Sequence, residues 1–342
     1  MGETSVTIKK RIDWIDMAKG YGMLFVIMAH CDVGVLGLWM YTFHLPLFFM
    51  LSGYTFSHKE NVKDFLLKKC RTMLVPYFLL GIPMILYEWW QYDSMGYGGV
   101  ENFLYLSMEF VKQRRMSTLW FLACLFCVQI VFYFLARYIK DLRWLGLVCL
   151  IITVLGYVYY LNGGGNLPWN FDASWMAITF FYIGYAYKQR GQNIDKILDK
   201  KSYSIPLFAI MVILNLGLAV LNLKLGYQNL EMFYSSYGML PLVYGSAIAG
   251  CFGVIIFCKW FTFRPIRYIG ANSMLYFAWH QTIMMPLISK LLQRLGWSIS
   301  GATPLPELIV YKMVYVLLII AVITVLNMII SNTRLRFILG KK

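Results

Sequence analysis

Only four histidines occur among the 342 residues: His30, His44, His58 and His280. An imidazole titrates near pH 6.5, so each could serve as a general base at neutral pH. Lys19 and His30 lie in one stretch with ten residues between them. In an α-helix the eleven steps make three turns plus roughly 20°, so both side chains share a face. The same steps rise roughly 16 Å, about half of a bilayer core. A cation near one surface and an imidazole deep in or across the membrane then line one stripe. An ionisable group inside a membrane costs about 2.5–3.5 kcal/mol on insertion scales, so it usually faces a cavity and marks function.

The other histidines differ in setting. His44 opens a second apolar run in FHLPLFFMLSGY, and His280 falls inside another in LYFAWHQ. His58 sits beside Lys59 and Glu60 at the end of a run. A buried histidine can also be a purely structural hydrogen-bonding group, and His58 fits that reading best. No Ser or Cys nucleophile motif accompanies these bases, which points to direct activation of an acceptor hydroxyl. There is no Walker loop, GxSxG or HExxH, and the histidines lack zinc spacing, so no metal site is expected. Lys19 and Arg71, at the starts of two apolar runs, form a second constellation. Together they could hold a phosphorylated cofactor by charge-assisted hydrogen bonds. The alternative for any one of them is the ordinary retention of cations on the cytoplasmic side.

The elements that must position these groups follow from composition. The chain is 60% hydrophobic and 14% charged, with mean hydropathy +0.61. A soluble domain would carry about 25% charged residues. The net charge of +15 could suggest nucleic acid, but in a membrane protein it reads as Lys and Arg gathered in cytoplasmic loops. Apolar runs near 17–38, 43–57, 72–92, 118–137, 144–161, 172–188, 203–223, 232–258, 268–290 and 308–331 predict ten spans. The second is short and follows a tight loop. With the N-terminus inside, 24 of the 31 Lys and Arg fall on the inner side. That split predicts both termini in the cytoplasm. The expected fold is an all-α polytopic helical bundle forming one integral domain over 1–342, with no cleavable signal peptide. The seven cysteines suggest no disulfide framework, and Cys124 and Cys127 read as small apolar side chains.

Six ordered stretches resemble the membrane acyltransferase-3 family, the integral O-acyltransferases that modify bacterial glycans. WIDMAKGYGMLFVIMAH resembles the family's first helix, whose signature is a basic residue, ten residues and a histidine; Lys19 and His30 fit it. FHLPLFFMLSGYTF resembles the second signature, and KKCRTMLVPY the entry to the third helix, placing Arg71 and Pro76. STLWFLACLF places Trp120, PWNFDASWMAITFFYIGY resembles the Pro-Trp…Phe-Phe-x-x-Gly helix, and IGANSMLYFAWHQ places His280. The match runs from about residue 11 to 335 and looks closest to the fucose-4-O-acetylase-like branch. No fused SGNH or other soluble domain of the kind some members carry is seen.

The resemblance implies transfer of an acetyl or other short acyl group from cytoplasmic acetyl-CoA, or a related acyl-CoA, to a hydroxyl of a cell-surface or lipid-linked glycan. It implies a bacterial cytoplasmic membrane setting and no metal. Lys19 and Arg71 would hold the phosphates, the pantetheine arm would run up the bundle, and His30 would act as base. His280 would orient the acceptor or stabilise the oxyanion, and His44, Arg115 and Trp120 would line the sugar site. A homo-oligomer is compatible with these features. A small-solute transporter or membrane sensing domain on the same fold is the rival reading, and it would show inverted repeats.

Overall fold

A computed structural model describes residues 12–114, 116–228, 230–299 and 303–341. The helices in chain order are α1 (Asp13–His30), α2 (Val35–Tyr41), α3 (His44–Thr55), α4 (Val62–Lys69), α5 (Val75–Ser94), α6 (Val100–Lys112), α7 (Trp120–Tyr138) and α8 (Leu142–Leu161). They continue as α9 (Phe171–Arg190), α10 (Gln192–Leu198), α11 (Lys201–Lys224), α12 (Leu240–Trp260), α13 (Arg264–Ala271), α14 (Ser273–Trp279), α15 (Met285–Arg294) and α16 (Leu305–Ser331). Among the described residues there is no β-strand, only an isolated bridge between Glu231 and Ser236. In lipid every backbone N–H and C=O must find an internal partner, and a helix supplies those partners within one segment. Among the described residues seven helical rods are long and apolar enough to cross a membrane: Val35–Thr55, Val62–Ser94, α7, α8, α11, α12 and α16. The chain is an all-α polytopic membrane bundle. α1, α9 and the broken rod α13–α15 pack among them.

Three expected runs depart from single helices. The first was expected to continue to residue 38, but α1 ends at His30 and the chain turns through Asp32 (φ 51°) and Gly34 (φ 61°, ψ −134°). Only glycine reaches that second conformation without a Cβ clash. The turn therefore lies at 31–34, and the second crossing starts at Val35. The run 232–258 becomes helical only at Leu240, because Gly238 (φ 50°) and Pro241 end an ordered loop there. The run 268–290 breaks at Asn272 and widens to a π-turn over His280–Met284. A matching π-turn spans Cys70–Leu74. Each lies just ahead of a proline, Pro286 or Pro76, whose ring lacks the N–H and collides with the carbonyl four residues back.

Two helix crossings set the frame. α3 packs on α9 and α1 on α13 through glycines. A Cβ on Gly184 would collide with the Met50 carbonyl, and one on Gly53 with the Phe181 carbonyl. Gly20 and Gly270 meet the Ile266 and Asp16 carbonyls in the same way. Small residues let backbones approach this closely inside a membrane.

The basic segments gather at one end. There Arg267 pairs with Asp13 at 2.6 Å, Lys259 pairs with Asp195, and Lys188 Nζ donates to the Phe56 carbonyl at 3.4 Å. At the opposite end Asn170 Nδ2 donates to the Trp120 carbonyl at 3.2 Å and Ser235 Oγ to Asn166 Oδ1 at 3.3 Å. The first and last described segments both lie at the basic end, where Lys341 Nζ donates to Asn272 Oδ1 at 2.6 Å.

Candidate active site

α1 runs unbroken from Asp13 to His30, so the predicted stripe exists. Its two ends open into different cavities. Lys19 lines one of about 590 Å³ at the basic end, and His30 lines one of about 450 Å³ toward the other end.

The histidine cavity is assembled from distant parts of the chain. α1 supplies His30, the α2–α3 kink supplies Tyr41 and His44, the start of α7 supplies Trp120, and the π-turn supplies His280. The rings of His30 and His280 are 5.1 Å apart at 71°. Tyr41 stands between two histidines, with ring centroids 6.0 Å from His30 and 5.0 Å from His44. Each of the three histidines bonds a carbonyl one turn back through Nδ1: His30 to Val26 at 2.7 Å, His44 to Met40 at 2.7 Å and His280 to Tyr276 at 2.9 Å. A carbonyl only accepts, so each Nδ1 carries the proton. In the neutral ring the lone pair then sits on Nε2, the nitrogen free to take a proton. His44 and His280 are fully buried, whereas His30 is half-buried. His280 Nε2 has no hydrogen-bond partner among the described residues.

The remaining cavity wall mixes aromatic rings with polar groups. Trp120 lies 5.9 Å from Phe233, centroid to centroid. Thr118 Oγ1 donates to the Ala278 carbonyl at 2.7 Å and ties the start of α7 to α14. Fully buried Asn170 holds the Trp120 backbone from the left-handed turn at Trp169 and Asn170, which gives the PWNFD stretch its role. Glu88, Gln91, Glu231, Tyr234 and Gln281 also face the cavity. These were not foreseen. Glu88, an acid inside an apolar run, carries a signal; Glu231 does not, because it falls just outside the run that begins at residue 232. Burial pushes the Glu231 carboxyl up to about 7.

The cavity at the basic end gathers Lys19, Lys188 and Lys341 with Asp16, Asn272, Ser273 and Asn327. Lys188 and Lys341 were not foreseen as partners of Lys19; they come from the end of α9 and the chain's last described residues. Arg71 does not join them. It lines a separate cleft with Glu60, Asp64 and Lys68, so the two predicted cations do not share a cavity. Arg115 lies outside the described residues. His58 sits at the basic end, where Tyr185 Oη is 3.2 Å from its Nδ1.

Among the described residues none lines both cavities. On α1 the stripe runs Lys19, Met23, Val26, His30, and Met23 between them is fully buried. On α3 the corresponding stripe is His44, Phe48, Leu51, Thr55, with Phe48 and Leu51 buried between the two ends. All seven cysteines are free thiols. Cys124 is buried, and Cys127 Sγ donates to the Trp169 carbonyl at 3.7 Å. Among the described residues no group of three or more His, Cys, Asp or Glu is placed to hold a metal ion.

A helical membrane bundle with a cationic cavity at one end and a histidine cavity nearer the other defines a multi-pass membrane protein equipped for group transfer. Residues 12–331 match the acyltransferase-3 family, described as an acyltransferase domain. The chain belongs to that family and is an acyltransferase. No curated protein and no solved structure gives a match to it.

Proposed function

We propose that the protein is an O-acyltransferase that takes an acetyl or other short acyl group from acyl-CoA on the cytoplasmic side of a bacterial inner membrane. It delivers the group to a hydroxyl of a cell-surface or lipid-linked glycan, as in the fucose-4-O-acetylase-like branch. The observation that carries this reading is α1 itself. One straight helix puts Lys19 in the cationic cavity and His30 in the histidine cavity, on one face, eleven steps apart. The basic end is assigned to the cytoplasm by the positive-inside rule.

In this reading Lys19, Lys188 and Lys341 hold the phosphates of the donor. The pantetheine arm is thin and nearly neutral, and it passes Met23 to bring the thioester to His30. His30 Nε2 takes the proton of the acceptor hydroxyl as its oxygen attacks the thioester carbonyl. The tetrahedral oxyanion collapses, the C–S bond breaks, and the coenzyme A thiolate leaves and takes the proton from the imidazolium. His280 Nε2 is an acceptor in the neutral ring, since its Nδ1–H is committed to the Tyr276 carbonyl. It therefore suits orientation of a second acceptor hydroxyl rather than stabilisation of the oxyanion. Tyr41, Trp120, Phe233 and Tyr234 offer faces for a sugar ring, and His44, Glu88, Gln91 and Glu231 offer partners for its hydroxyls.

The test uses purified protein in nanodiscs with labelled acetyl-CoA and an acceptor glycan. Saturable donor binding in both wild type and His30→Ala, with turnover only in wild type, is the expected result. Normal turnover by His30→Ala would remove His30 from the chemistry, and absence of donor binding would overturn the reading.

A further inference from the structure

Asn327 is an amide in a largely apolar helix, four residues before the end of α16. It is fully buried and lines the lysine cavity. Its Nδ2 donates to Tyr268 Oη at 2.9 Å, while Oδ1 is buried with no partner among the described residues. Leaving a buried acceptor unpaired costs free energy, and an apolar side chain of similar shape would avoid that cost. Turning the amide over only exchanges the orphan, because Oδ1 would then accept from Tyr268 and the NH2 would be left. Either way one polar end of Asn327, in the wall of the cavity, is left unpaired.

The setting of this amide is built rather than incidental. Lys341 Nζ donates to Asn272 Oδ1 at 2.6 Å, and Asn272 Nδ2 donates to the Tyr268 carbonyl at 2.9 Å. Tyr268 thus accepts from Asn272 at its backbone carbonyl and from Asn327 at its side-chain hydroxyl. One turn further along α16, Thr324 Oγ1 lies 2.7 Å from Tyr276 Oη. Tyr276 in turn gives its carbonyl to His280. Asn327 therefore stands on the side of the lysine cavity that leads toward the histidines.

A group that meets an unpaired amide in either orientation is another secondary amide, which offers both an N–H and a C=O. A coenzyme A donor carries two such amides between its phosphates and its sulfur. We propose that Asn327 hydrogen-bonds an amide of the pantetheine arm and so fixes how far the arm reaches along the bundle. This rests on the acyl-CoA reading above. Asn327 acts as a positioning residue: it touches the donor and leaves the chemistry to His30.

The test measures affinity in nanodiscs by calorimetry for three probes: coenzyme A, adenosine 3′,5′-bisphosphate, and a coenzyme A analogue with ester links in place of both arm amides. Wild type should bind coenzyme A about two- to tenfold tighter than the ester analogue, the range expected of one net hydrogen bond. Asn327→Leu should lose that preference and bind adenosine 3′,5′-bisphosphate as wild type does. An unchanged amide-over-ester preference in Asn327→Leu, or an equal loss for all three probes, overturns the assignment. If Asn327→Leu fails to fold, the wild-type comparison alone decides, and equal affinity for amide and ester arms overturns it. Failure of wild type to bind any of the three probes instead overturns the acyl-CoA reading itself.

Discussion

His30 and His280 face each other across one cavity with ring centroids 5.1 Å apart, although 249 residues separate them in the chain. Both have Nδ1–H tied to the helix backbone, so each presents Nε2 as an acceptor. Two like groups at this distance cannot comfortably both be charged. One takes the proton and the other stays neutral. His30→Gln should lower turnover by about 10²–10⁴, the usual worth of a general base, with donor affinity retained. His280→Gln should raise the KM for the glycan more than it lowers kcat. Steady-state kinetics varied in the glycan separates the two outcomes.

The cations divide between two cavities, so their substitutions should divide too. Lys19→Ala, Lys188→Ala and Lys341→Ala should each weaken acyl-CoA binding by about tenfold, as expected for one charge-assisted contact of about 1.5 kcal/mol. Arg71→Ala, in its own cleft with Glu60 and Asp64, should change donor affinity by less than about twofold. Titration of the purified variants with acyl-CoA reads both directly; an Arg71→Ala loss as large as that of Lys19→Ala would place Arg71 at the donor.

Met23 fills the stripe between the cavities. A methionine is long and flexible enough to swing aside for a thin arm. Met23→Trp should leave adenosine 3′,5′-bisphosphate binding intact and abolish transfer. Retained transfer would show that the arm takes another route.

Glu231 links the site to pH. Burial raises its carboxyl to about 7, above the model-peptide range near 4.3. The folded state therefore holds a proton that the unfolded chain has released between those values. Its contribution to stability is fully present below the unfolded pKa and is lost as pH rises through about 7. Glu231→Gln should flatten the fall in thermal stability between pH 5 and 8 and remove one ionisation near neutrality from the pH dependence of kcat/KM. Differential scanning fluorimetry across that range checks the first, and rate profiles the second.

Gly184 and Gly53 hold the α3–α9 crossing, where any Cβ would overlap a backbone carbonyl. Gly184→Ala should destabilise the protein by about 1–3 kcal/mol, the usual cost of overpacking a tight contact. Because α3 carries His44, activity should fall as well. Thermal melts and turnover measured on one preparation test the coupling.

Much was legible before any coordinates. Apolar runs and the distribution of Lys and Arg imposed a polytopic helical bundle, since lipid leaves the backbone few other choices. The 3.6-residue period put Lys19 and His30 on one face, and α1 keeps them there. These are local properties, governed by residue spacing and solvent. Tertiary structure alone decided what converges. Crossings fixed by Gly20, Gly53, Gly184 and Gly270 set which helices touch, and no period in the chain encodes a contact between residues 30 and 280. Packing also put Lys188 and Lys341 in one cavity with Lys19 and left Arg71 in another cleft, and three expected runs gave way to a turn at 31–34, a break at Asn272 and the loop ahead of Leu240 that delivers Glu231. Helix formation depends on neighbours three and four residues away, whereas a site depends on side chains that only the packed bundle brings together.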